Sequence, residues 1–188
     1  MKSMTTPPSI NEAIAALKAG TMEARRQASR ELVSIGAPAV APVISAMREG
    51  DNDLRWYAAR ILALIGEPAV HPLLSAMQEE EDLDFRRYAA AALSEMGEGS
   101  VAALVEVVLG DDPEMRGFAA AALCRIGEPA VEALMEAVKG GDRRAQSTAA
   151  LLLWKMGEPG ATPLTEALKE MAADRGSKTG GGDQEGNS

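Results

Sequence analysis

Eight side chains of this 188-residue chain have the chemistry of a binding surface: Arg26, Arg30, Trp56, Tyr57, Arg60, Arg87, Tyr88 and Phe118. Guanidinium forks pair with carboxylates, and aromatic rings offer large rigid apolar area. Trp, Tyr and Arg are the residue types enriched where proteins hold partners. The chain has only six aromatic residues, and four of them are in this set. A second series, Arg25, Arg55, Arg86 and Arg116, recurs at steps of 30, 31 and 30 residues. Asp51, Asp82 and Asp112 stand four residues before the last three, the spacing of an ion pair on one helix. Repetition once per unit favours a structural role for this series over a ligand site. Gln146 breaks it in the last unit.

Nothing comparable points to catalysis. His71 is the only histidine and lies beside Pro72, with no second imidazole or thiol to complete a zinc site. Cys124 is the only cysteine and has no base nearby in the sequence to activate it, so a small packing residue is expected. The acidic run Glu79, Glu80, Glu81, Asp82 and Asp84 matches no calcium-loop spacing and reads as a solvated loop. No Gly-rich phosphate loop, nucleophile–base pair or carboxylate dyad stands out. The expectation is a non-enzyme with no metal and no cofactor.

Composition narrows the class further. The formal charge is −9, which argues against DNA, RNA and anionic membrane surfaces. A single cysteine forbids an internal disulfide and suits a reducing compartment. The segment MKSMTTPPSINEA has no apolar signal core, and no run approaches a membrane span. A soluble, cytoplasmic protein is expected. Apolar residues make up 46% of the chain and aromatics 3%. Packing must therefore rest on Ala, Leu, Val and Met, which suits closely spaced helices.

The elements follow from a repeat. Gly36, Gly66, Gly97, Gly127 and Gly157 are spaced 30, 31, 30 and 30 residues apart. A period near 30 predicts a helical solenoid. Before each Gly, apolar residues at −1, −4, −8 and −12 share one helical face. Leu32, Leu62, Leu93, Leu123 and Leu153 hold −4, and Ala28, Ala58, Ala89, Ala119 and Ala149 hold −8. Thr21, Asp51, Asp82, Asp112 and Asp142 at −15 are N-caps, and the Gly is the left-handed stop. After each Gly a Pro-led helix has its buried stripe at +4, +7 and +11. Pro42, Pro72 and Pro163 at +6 should bend that helix or shift its start. We call the Pro-led helix A and the Arg/Ala helix B. The expected organisation is a lead, 1–6, then A–B pairs over 7–36, 37–66, 67–97, 98–127 and 128–157. A half repeat, 158–172, caps the end with a polar outer face, and a Gly-rich flexible tail fills 173–188.

The pattern resembles the HEAT-like repeats, in the short form also found in phycobilin lyase subunits. It is clearest in Asp112-Pro113-Glu114-Met115-Arg116 through Ala119, Ala120, Leu123, Ile126 and Gly127, continuing into Glu128-Pro129-Ala130-Val131 and Leu134. The resemblance covers 7 to about 171. It implies an all-α solenoid of five helix pairs plus a capping helix, with Asp and Arg forming a ladder between repeats. It also implies B helices lining the concave face. Side-chain size argues for that curvature separately, because paired small residues at −8 and −7 let B helices approach closely.

The B-helix face directed away from the core holds −2, −6, −9, −10 and −13, and the eight candidate residues fall there. The reading is a protein- or peptide-binding scaffold whose partner carries acidic and apolar features. A homodimer through the groove or the capping helix stays open. Two alternatives remain. A bilin lyase or chromophore-handling subunit is implied only by the resemblance. A DNA-binding alkylation-repeat-like protein is disfavoured by the net charge.

Overall fold

The computed structural model describes residues 9–140 and 142–179. Among them are eleven α-helices: α1 (Ile10–Ala19), α2 (Met22–Ile35), α3 (Val40–Glu49), α4 (Asn52–Ile65), α5 (Val70–Glu79), α6 (Leu83–Glu95), α7 (Glu98–Leu109), α8 (Pro113–Ile126), α9 (Glu128–Gly140), α10 (Arg143–Lys155) and α11 (Glu158–Thr179). No strand occurs among the described residues. The fold is an all-α solenoid in which odd-numbered helices are the A helices and even-numbered ones the B helices. The expected lead, 1–6, lies outside the described residues.

Each B helix starts where a short oxygen-bearing side chain can cap it. Thr21, Asp51, Asp82, Asp112 and Asp142 accept hydrogen bonds from the backbone N–H of Ala24, Leu54, Phe85, Met115 and Ala145. These are donors that the helix itself leaves unpaired. Each B helix is followed by a Gly of positive φ. Gly66 has φ 78° and ψ −138°. The sign of φ agrees with the expected stop, but ψ lies far from the left-handed helical value. Residues with a Cβ almost never occupy that region. The chain therefore leaves the B helix extended and enters the next A helix at once.

The prolines at +6 shift the helix start, one of the two outcomes expected of them. Short 3-10 turns, Ala37–Ala39 and Glu67–Ala69, precede α3 and α5. Pro42 and Pro72 then fall third in their α-helices, where the N–H has no intrahelical partner to lose. Pro163 differs, because α11 starts at Glu158 and the proline is interior. At the fourth pair Gly99 replaces the proline, and Ser100 beside it bonds back to the preceding turn. Its side chain is buried, and its single hydroxyl proton is within reach of the carbonyls of Leu93, 2.7 Å away, and Gly97, 2.9 Å away.

The chain divides into two compact units, Met1–Ile126 and Gly127–Ser188. In the first, Leu32, Leu62, Leu93 and Leu123 from the B helices are sealed, as are Val43, Leu73 and Leu104 from the A helices. Ala28, Ala58, Ala89 and Ala119 are also buried, and neighbouring B helices approach more closely than neighbouring A helices do. The B layer is thus the tighter one in this unit. Phe85 at −12 fills the core where other repeats place Leu54 or Met115.

In the second unit, Leu134, Leu153 and Leu164 repeat the same core between α9, α10 and α11. Three expectations need correction here. Helix α11 continues to Thr179, past the expected boundary at 172. The residues Lys169-Glu170-Met171-Ala172-Ala173 are good helix formers, and nothing in them stops the helix. Residues 180–188 of the proposed tail lie outside the described residues. Trp154 sits at −3, in the column of Val33, Ala63, Ser94 and Cys124, a place that predicts packing against the terminal helix, yet it is 66% exposed. No B helix follows α10 among the described residues, so that flank lacks a neighbour. Leu168, assigned to the buried stripe, is 50% exposed for the same reason.

Candidate functional site

The two arginine series separate by depth. Arg55 and Arg86 are buried, and each spans three elements. Arg55 donates through Nε to the carbonyl of Met47 and through Nη2 to Asp82 Oδ2, 2.6 Å away. Arg86 donates through Nε to the carbonyl of Met77 and through Nη1 to Glu114 Oε2. Their ion pairs reach forward to the next repeat, so the expected pairing back to Asp51 and Asp82 on the same helix is replaced. The ladder between repeats is present, with Glu114 taking the place of Asp112 in its second rung. Arg25 donates through Nη2 to the carbonyl of Lys18, and Arg116 through Nη1 to that of Gly110. All four arginines therefore satisfy a carbonyl at the C-terminal end of the preceding A helix, where the helix provides no donor.

Electrostatics at the first rung follow from this geometry. The Arg55 hydrogen bond, assisted by the backbone N–H of Phe85, holds the Asp82 carboxyl below its usual range. A second ladder runs along the A helices and was not read from the sequence. Lys18 Nζ meets Glu49 Oε2 at 2.7 Å, and Arg48 Nη2 meets Glu79 Oε2 at 2.6 Å, each pair 31 residues apart. The Lys18 hydrogen bond holds Glu49 below its usual range. The signal was a basic residue twelve positions after the repeat glycine facing a glutamate thirteen after the next.

A cleft of about 580 Å³ lies between α2 and α4, two B helices of the first unit. It gathers five of the eight candidate residues: Arg26, Arg30, Trp56, Tyr57 and Arg60. Trp56 is 50% exposed, with its ring edge-on to Tyr57 at 5.0 Å between centroids. The Arg60 guanidinium lies 5.5 Å from the Trp56 ring centre, and that of Arg25 lies 5.7 Å from the Tyr57 ring centre. Both are cation–π distances. The Tyr57 hydroxyl donates to Met22 Sδ at 3.4 Å, linking the two walls.

The other three candidates are not part of the cleft. Arg87 is exposed on α6 and paired with Asp84 at 3.0 Å. Tyr88 on α6 and Phe118 on α8 are half-buried. Met22, Arg25, Ser29, Asp53, Ile61 and Leu64 complete the lining and were not among the candidates. Leu64 and Asp53 occupy outward positions of the repeat, so the template held a signal for both. Arg25 was set aside because it shares a column with the ladder arginines. His71 is exposed on α5, and Cys124 is half-buried on α8.

A family model of HEAT repeats matches the chain over residues 40–114 and 101–177. The chain belongs to the HEAT-repeat family. The matched spans take in both ladder rungs and the repeat glycines from Gly66 to Gly157, the features that define each unit here. Nothing in the match singles out the phycobilin lyase form. No curated protein matches the chain. Among the described residues, no helix of this HEAT-repeat protein is long and apolar enough to cross a membrane, and no group of three His, Cys, Asp or Glu could hold a metal ion.

Proposed function

We propose that this HEAT-repeat protein is a non-catalytic scaffold that holds a protein or peptide on the inner B face of its first unit. The observation that carries the reading is Trp56. A tryptophan half open to water, with a guanidinium over its ring and a cleft beside it, leaves apolar area uncovered on a surface built of helices. Large exposed rings beside arginines are what interface hot spots are made of. The cleft holds four arginines against one aspartate in a chain of net charge −9. Charge of that sign suits an acidic partner and repels none of its apolar contacts. The chromophore-handling alternative draws on no observation beyond an open aromatic cleft, and the DNA-binding one meets the acidic net charge.

Selection from a random peptide display library tests the reading. Wild type should enrich a recurrent peptide set. The variant Trp56→Ala should lose that enrichment while keeping its helicity and its Tm within a few degrees. Loss of the fold in the variant would make this ring a core residue. Unchanged enrichment would move the binding face elsewhere.

A further inference from the structure

We propose that the α2–α4 cleft recognises an extended segment of another protein in which acidic residues are flanked on both sides by large apolar ones; this rests on the binding reading above and specifies its ligand. The lining is ordered along the helices. On α2, Met22, Arg26 and Arg30 follow one another at one-turn intervals, and on α4 Trp56, Arg60 and Leu64 do the same. The middle of the cleft is thus basic, the end at Met22 and Trp56 is apolar, and the other end sets Leu64 beside Arg30, so that α4 offers an apolar anchor at each end. Met22 and Trp56 meet Tyr57 at one end, and Leu64, 63% exposed, marks the other.

The arginines along the cleft are loosely held. Among the described residues no ion pair is formed by Arg26 or Arg60, and Arg60 rests on the Trp56 ring. Arg30 donates to Gln27 Oε1 at 3.0 Å and faces Glu23 at 3.6 Å, both exposed contacts that an incoming carboxylate can displace. Trp56 and Leu64 are two turns apart, about 12 Å along the helix. An extended chain rises about 3.3 Å per residue, so apolar side chains three or four residues apart span the two ends. Asp53 in the lining opposes a dianionic phosphate more strongly than a singly charged carboxylate. The geometry therefore favours glutamate or aspartate between the apolar anchors.

The test uses the full chain carrying Trp154→Phe, an exposed position in the second unit, so that Trp56 is the sole fluorescent tryptophan. Three end-capped peptides are titrated, with the cores Leu-Glu-Glu-Glu-Leu, Leu-Gln-Gln-Gln-Leu, and the first with phosphoserine at its centre. The Glu peptide should change Trp56 emission saturably. Binding should weaken about tenfold or more for the Gln peptide and for Arg26→Ala with Arg60→Ala. It should also weaken as salt rises from about 0.05 to 0.5 M, since exposed charges are screened. Equal binding of the Gln peptide overturns the acidic requirement, as does tighter binding of the phosphopeptide, which would make the ligand a phosphorylated segment. A doubled mass in light scattering that blocks the titration would make the occupant a second copy of this chain. No response to the Glu peptide at about 1 mM, well above the range of specific recognition, also overturns the inference. Library enrichment that depends on Trp56 would leave the scaffold reading standing in every one of these cases.

Discussion

Arg55 and Arg86 each close two gaps at once. One end of the guanidinium supplies the donor that an A-helix carbonyl lacks, and the other neutralises an acid at the start of the next B helix. Arg25 occupies the same column but donates through Nη2 to the Lys18 carbonyl, its head lies over Tyr57, and its Nε is buried with no hydrogen-bond partner among the described residues. The column is thus structural in the interior and part of the cleft at one end. The first rung makes a pH prediction. Folding lowers the Asp82 carboxyl from its unfolded value near 3.9. The stability it contributes is present above that value and is lost as pH falls through the lower folded value. Asp82→Asn keeps an N-cap oxygen while removing the charge. Its urea midpoint should fall below wild type at pH 7, and the difference should shrink below about pH 4. A difference that stays constant down to about pH 2 would mean the charge is not what the rung uses.

At the scale of the element, a glycine that follows a B helix and one inside a B helix should respond oppositely to the same substitution. At Gly66 an added Cβ meets open space, yet φ is 78°. The penalty for alanine is therefore backbone strain, about 1–3 kcal/mol. At Gly117, inside α8, an added Cβ also meets open space, and the helix has no need of a glycine there. Gly117→Ala should raise stability by about 0.5–1 kcal/mol. Paired thermal melts of the two variants give the sign directly. A stabilised Gly66→Ala would contradict the account of the helix stop. The caps, the stripes and the five stops of these elements were all legible in the sequence, because each depends on residues within a turn or two. The 3-10 turns before α3 and α5 were less so. Pro42 signalled a shifted start, but only the structure showed it as a turn of a different pitch.

For the whole molecule, a solenoid's stability is a sum over repeats and their nearest neighbours. Leu93 is sealed within the first unit, whereas Leu168 on the last helix is half exposed. Leu93→Ala should lower unfolding free energy by about 2–5 kcal/mol. The matching change at Leu168 should cost about 1 kcal/mol or less. Denaturant titrations of both, with equal losses, would contradict the assignment of α11 as an end helix.

The chain by itself settled the helix count, the A–B alternation, the buried leucine column and the side of each B helix that faces out. Those follow from a 3.6-residue period and from caps a few residues away. The tertiary structure decided which outward residues meet. Two neighbouring B helices share a cleft only where their side chains interlock, so Trp56 and Arg26 join while Arg87 and Phe118 do not. It also sent Arg55 forward to Asp82, and it left Trp154 uncovered where, among the described residues, no further B helix stacks. Such outcomes depend on distances between residues about thirty positions apart, and a local period carries no information on them.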